Sequence, residues 1–141
     1  MVPSASVFFE EVETAFRETA AALGLNGPAE SHRVLPVATY AATDLQYRIS
    51  LNPDEGSVEC DVWLKTATVH LSAPLEDVAL AVRSIEKRGT TSHSARNLRQ
   101  MKNSLAEQAH CLQLVHPQIV DAPEDILADA GARRWHKEQP Q

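Results

Sequence analysis

Aromatic residues are scarce in this chain: three phenylalanines, two tyrosines and two tryptophans, with none between residues 64 and 134. That gap deprives half the protein of the stacking platform on which single-strand nucleic-acid binders depend. Glycine is almost as sparse, with five in the sequence, and neither GxGxxG nor GxxxxGK[ST] occurs, which excludes the common phosphate cradles. Cysteine is limited to two, too few for a disulfide scaffold. Cys60 and Cys111 both fall in apolar-patterned segments and read as reduced packing residues, Cys60 buried and free. No stretch approaches the roughly 18 apolar residues that span a bilayer. The start, Met1-Val2-Pro3-Ser4, has neither a basic region nor an apolar stretch before Glu10 and Glu11, so no secretory signal is expected and a cytoplasmic location is. Basic residues are outnumbered, 13 lysines and arginines against 19 acids, for a net charge of −6. An acidic protein lacks the surface from which general nucleic-acid affinity comes.

What is present is clearest at mid-chain. Leu45, Tyr47, Ile49 and Leu51 alternate with Asp44, Gln46, Arg48 and Ser50. Beyond the turn at 52–57, Val58, Cys60, Val62 and Leu64 alternate with Glu59, Asp61, Trp63 and Lys65. Such period-two patterning on both sides predicts a hairpin with one buried and one outward face. With Leu51 opposite Val58, Arg48 faces Asp61 and Asp44 faces Lys65. A slip of two residues would lose the second pair, so these modest contacts, each about 0.2–1 kcal/mol, select one register.

The flanking segments complete an α+β reading. A first helix is predicted from Val7 to Leu23, N-capped by Ser6 and closed by Gly24, with Phe9, Val12, Phe16, Ala20 and Leu23 as its apolar stripe. Residues 28–33 read as loop, and Val34 to Tyr40 as a strand that Pro36 confines to an edge or a bulge. Thr66 to Leu71 either extends the second hairpin strand or forms a fourth. A second helix is predicted with Pro74 near its start, Glu76 and Asp77 in its first turn, Lys87 and Arg88 in its last and Gly89 just after. A third runs from Ala95 to Val115, on Leu98, Met101, Leu105, Ala109 and Leu112, and ends at Pro117. Asp121-Ala122-Pro123-Glu124 predicts a short fourth helix, and Trp135 a lid at the core's edge. The order α-β-β-β-α-α-α describes one domain over residues 1–141 with a frayed tail at 137–141: an antiparallel meander of three or four strands with every helix on one face.

Catalytic and metal-binding patterns do not assemble. His110, Cys111 and His116 form the densest cluster of potential ligands, yet adjacent helical residues point about 100° apart. They read as a partly buried cysteine beside two surface histidines, and no metal or cofactor is expected. Ser92-His93-Ser94 reads as helix capping rather than as a nucleophile with its base. Glu59 and Asp61 share a strand face, but Arg48 and Lys65 flank them and are expected to hold both carboxylates ionised. The expectation is a protein that is not an enzyme.

Two surfaces remain as binding candidates. One is the outward sheet face, where Trp63 is ringed by Glu59, Asp61 and Arg48. An outward tryptophan among charges suits an interface anchor, and the acids would steer a basic protein partner to it. A homodimer through the third helix is the other protein contact considered. The second surface is a basic band, Lys87, Arg88, Arg96, Arg99 and Lys102, with Arg96, Arg99 and Lys102 on one helical face, suited to an anion or to nucleic acid as accessory. In size, acidity and lack of catalytic motifs the chain resembles bacterial immunity proteins and antitoxins, a resemblance that implies occlusion of a basic enzyme. The opening helix, ending Ala22-Leu23-Gly24-Leu25, and the meander after it resemble type III secretion chaperones over about half the chain. That resemblance implies another kind of non-catalytic protein binding, and two more strands after residue 74, where this sequence continues in helical pattern.

Overall fold

The computed structural model describes residues 1–136, so the predicted frayed tail at 137–141 lies outside the described residues. Helix α1 (Ala5–Leu23) leads into five consecutive strands, β1 (Asn26–His32), β2 (Pro36–Ala42), β3 (Leu45–Asn52), β4 (Ser57–Lys65) and β5 (Val69–Pro74). Three helices follow, α2 (Leu75–Ala81), α3 (Leu98–Ile119) and α4 (Pro123–Asp129), and the chain returns as β6 (Arg133–His136). All six strands form one antiparallel sheet in chain order. The α+β class and the helical layer match expectation, and the strand count is higher.

The hairpin has the predicted register. Leu51 lies opposite Val58, Ile49 opposite Cys60 and Arg48 opposite Asp61. The inward residues from Leu45 to Leu51 and from Val58 to Leu64 are all buried, whereas their outward neighbours keep solvent contact. Against the inward face pack Phe8, Val12 and Phe16 of α1 and Met101, Leu105, Leu112 and Ile119 of α3, all inaccessible to solvent. Phe16 stacks on Tyr40 of β2 with ring centres 5.6 Å apart. Thr19 ties α1 to α3, its hydroxyl donating to the Ala109 carbonyl and to Gln113 Oε1, each at 3.3 Å.

Several boundaries differ from the sequence reading. Helix α1 begins two residues earlier, because Ser4 rather than Ser6 accepts from the Val7 amide as N-cap. The turn of the helix buries Phe8 and Thr19 and leaves Phe9 only partly covered. Gly24 closes α1 in the left-handed conformation, φ 68°, as predicted. The segment read as loop is the edge strand β1, bulged between Asn26 and Ala29. Consequently Pro36 is not on an edge: it opens β2, second in the sheet, a first-residue position where a ladder donor is dispensable. Val69–Pro74 is a separate strand, so the open choice at Thr66 resolves to a turn and β5.

On the helical side, α2 stops at Ala81, and Arg83 takes a positive φ of 61°, so Lys87, Arg88 and Gly89 belong to an irregular segment instead of a helix end. Helix α3 starts at Leu98 with Asn97 as its N-cap, the side chain accepting from the Gln100 amide at 2.9 Å. It continues through Pro117 to Ile119, one turn past the predicted stop. Helix α4 has Pro123 in its first turn as expected, but Ala122 stands at the cap without a side-chain bond. After residue 74 the chain forms three helices and one four-residue strand, not the two strands that the chaperone resemblance implies.

Between α2 and α3, residues 92–95 strap the turn of the β3–β4 hairpin. The Val58 amide donates to the His93 carbonyl and the Ala95 amide to the Gly56 carbonyl, both at 2.8 Å. Gly56 has φ 63°, and a Cβ there would lie 2.7 Å from Cγ of Arg96, so conformation and space both require glycine. Ser104 and Gln108 of α3 hold the strap from below, donating to the carbonyls of Ser94 and Ser92 respectively. No described helix is long and apolar enough to cross a membrane.

Candidate functional site

The four helices among the described residues sit on the inward side, and the outward face of the sheet carries side chains that no described helix covers. The pairings place Arg48 beside Asp61, Gln46 beside Trp63, Trp63 beside Ser72, and Ser72 beside Arg133. Trp135, opposite His70, falls on the same outward side one position along β6. Trp63 and Trp135 therefore meet diagonally across β5, their rings parallel within 4° and their centres 5.3 Å apart. That is the offset stack that aromatic quadrupoles favour.

An arginine closes the stack at each end. The guanidinium carbon of Arg48 lies 4.1 Å from the centre of the Trp63 ring, and that of Arg133 lies 5.0 Å from the Trp135 ring. Both are within cation–π range. Arg48 is further held by Gln46, whose Oε1 accepts from Nε at 3.3 Å and from Nη2 at 3.0 Å. Three strands thus contribute to one continuous ladder: Arg48 from β3, Trp63 from β4, and Trp135 and Arg133 from β6. Trp63 is half-buried by this company instead of standing alone, and Trp135 is a partner in the ladder rather than a lid over the core.

The acids take up the flank. Arg48 faces Asp61 in the register, but its guanidinium lies over the indole, and Asp61 forms no ion pair among the described residues. Burial, reinforced by Glu59, raises the Asp61 pKa above the ordinary aspartate value, and Arg48 only partly offsets it. Burial therefore weighs more on the Asp61 carboxyl than the flanking Arg48 does. Beside Glu59 a recess of about 320 Å³ continues around the sheet edge to Glu76 and Asp77, with Arg88 and His93. Two of its acids are engaged internally, Asp77 with Arg88 and Glu76 with His93 at 3.9 Å.

The basic band does not assemble into one site. Lys87 and Arg88 leave the helix they were assigned to, Arg96 precedes α3, and only Arg99 and Lys102 are helical. Lys102 approaches Glu11 of α1 at 3.8 Å, and Arg88 pairs with Asp77. No group of three or more His, Cys, Asp or Glu able to hold a metal occurs among the described residues. His116 is nevertheless no surface histidine: it is 6% exposed and meets the Tyr47 hydroxyl. Cys60 and Cys111 are both buried and unpaired.

Trp135 and Arg133 are the site residues that the sequence reading missed. Their signal was short, an Arg133–Trp135 alternation around Arg134, whose side chain points to the helical side and approaches Glu124 at 3.6 Å. No family model matches the chain, and neither the curated proteins nor the solved structures give a match.

Proposed function

We propose that this chain is a non-catalytic protein-binding module that uses its outward sheet face to occlude a basic partner, in the manner of an immunity protein or antitoxin. The observation that carries the reading is the Arg48–Trp63–Trp135–Arg133 ladder on a face that no helix of the described residues covers. Tryptophan and arginine dominate interface hot spots, and a ladder already stacked gives up little side-chain freedom on binding. Glu59 and Asp61 beside the ladder, with the net charge of −6, favour a basic surface opposite. Anion or nucleic-acid binding by the basic band has the Lys102–Glu11 and Arg88–Asp77 pairs against it, since two of its cations already meet acids of the same chain.

The test places a photo-crosslinking residue at Ser50, on the outward face, and captures partners in the native host. A basic protein should be captured, and Trp63→Ala or Trp135→Ala should weaken its binding to the purified chain by about 2 kcal/mol or more, roughly thirtyfold, while both variants stay folded. Neutralising Arg99 and Lys102 should leave binding within a factor of about two. Loss of binding in the Arg99 and Lys102 variants, with the tryptophan variants unaffected, would transfer the function to the band.

A further inference from the structure

A second concavity lies on the helical side, away from the ladder. It encloses about 410 Å³ where the end of α1, the β2–β3 turn, β4 and the junction of α3 with α4 meet. Leu23, Leu45, Leu64 and Val120 supply apolar walls, and Asp44 and His116 are its ionisable lining.

His116 gives the cavity a defined polarity. Its Nδ1 is bonded to the Tyr47 hydroxyl at 2.5 Å. Tyr47 is fully buried, and its hydroxyl has no other partner among the described residues. The hydroxyl proton therefore goes to Nδ1, because the alternative leaves a buried O–H unsatisfied. A neutral imidazole that accepts at Nδ1 carries its own proton on Nε2. Nε2–H has no acceptor among the described residues, and with the Nδ1 edge turned into the core, the opposite edge faces the cavity. A donor on a side chain that is only 6% exposed is thus presented to a space whose walls are partly polar and partly leucine.

The charged side chain at the mouth is acidic. Asp44 lines it, α1 and α3 end there at Leu23 and Ile119 with the negative ends of their dipoles, and the short α4 begins there at Pro123. The turn that carries Asp44 holds Thr43 at φ 54°, a conformation that a β-branched residue adopts only under constraint. A carboxylate or phosphate is disfavoured in such a place, and a group that combines an acceptor with a donor is favoured.

We propose that this cavity binds a short aliphatic amide, its carbonyl accepting from His116 Nε2–H, its N–H directed to Asp44 and its chain against Leu23, Leu45 and Leu64. The site is independent of the sheet-face reading, since no residue is shared.

The experiment is a 1H–15N NMR titration of the full chain with hexanamide, with hexanoate as its charged counterpart. Saturable shifts at the cavity-lining residues are expected with hexanamide, and at least tenfold weaker ones with hexanoate. Long-range imidazole spectra should show His116 protonated at Nε2, with that nitrogen shifting as hexanamide is added. Val120 is 49% exposed at the mouth, so Val120→Trp fills the entrance without cutting into the core and should abolish the shifts. The absence of saturable shifts with hexanamide would overturn the proposal. So would hexanoate binding equally well, His116 protonated at Nδ1, or shifts that survive Val120→Trp.

Discussion

The two faces of the central hairpin are made by alternate residues of the same strands, yet they are held together in different ways. On the inner face Tyr47, Ile49, Leu51, Val58 and Val62 are sealed under α1 and α3, and their contribution is mainly area removed from water. On the outer face Arg48, Asp61 and Trp63 keep partial solvent contact and interact through oriented groups: a cation over a ring, a ring over a ring, an amide oxygen under a guanidinium. The inner face needs only residues of the right size and polarity. The outer one needs particular partners at particular positions, and it is the face left available for recognition.

The comparison breaks first if the inner face is not as closed as its burial implies. Leu105, at the centre of α3, has no solvent exposure. Leu105→Ala should cost about 2–5 kcal/mol in urea unfolding, the range for a buried leucine truncation. A loss below about half a kilocalorie would mean that α3 packs loosely, and its apolar stripe would then have to be considered as a dimer seam.

A smaller effect is expected at the polar contact between Tyr47 and His116 in the inner layer. Tyr47→Phe removes the hydroxyl that His116 Nδ1 accepts from and leaves a buried acceptor without its donor. The penalty for such an orphan is about 1–3 kcal/mol. Calorimetry showing no change would indicate that water or a rotated ring replaces the hydroxyl.

How much of each face was legible from sequence follows from the same physics. The hairpin register was legible because apolar alternation runs unbroken through eight residues on both strands, and any odd slip would expose all of them. Strand β1 was not, since Asn26–His32 is an edge strand exposed almost throughout, with no buried face to leave a pattern. The end of α2 was misread because Lys87, Arg88 and Gly89 have the composition of a helix terminus, while tertiary bonds hold the segment otherwise: the Gly89 amide donates to Glu76 Oε1 and the Ser92 amide to Glu107 Oε2. The outer site was half legible. Trp63, Arg48, Glu59 and Asp61 followed from strand alternation, but Trp135 lies 72 positions after Trp63 and reaches it only because β6 returns beside β5. No local pattern encodes that return.

The outer ladder is tested as a unit by a double-mutant cycle. Trp63→Ala, Trp135→Ala and the double variant should show a coupling of about 0.5–1.5 kcal/mol, the usual worth of an aromatic pair beyond its buried area. Coupling near zero would mean that the rings merely adjoin, and the preorganisation on which the binding proposal rests would be lost.

The smallest effect is also the one in which the two faces oppose each other in sign. Burial holds His116 below the ordinary histidine pKa, while burial and Glu59 hold Asp61 above the ordinary aspartate value. Stability rises with pH wherever the unfolded chain binds more protons, and falls where the folded chain does. For His116 the unfolded chain is the better proton acceptor between the folded pKa and about 6.5, so stability is lost as pH drops through that window. For Asp61 the folded chain is the better acceptor between 3.8 and its raised folded pKa, so acidification there relieves a penalty that is fully present at neutral pH. Asp61→Asn removes that penalty without removing the side chain's volume. The variant should accordingly be more stable than the parent near pH 7, and its advantage should shrink as the pH approaches 4, read from urea midpoints of the two proteins side by side. An advantage that stays constant with pH would show that Asp61 titrates normally, and that Arg48 compensates it while stacked on Trp63.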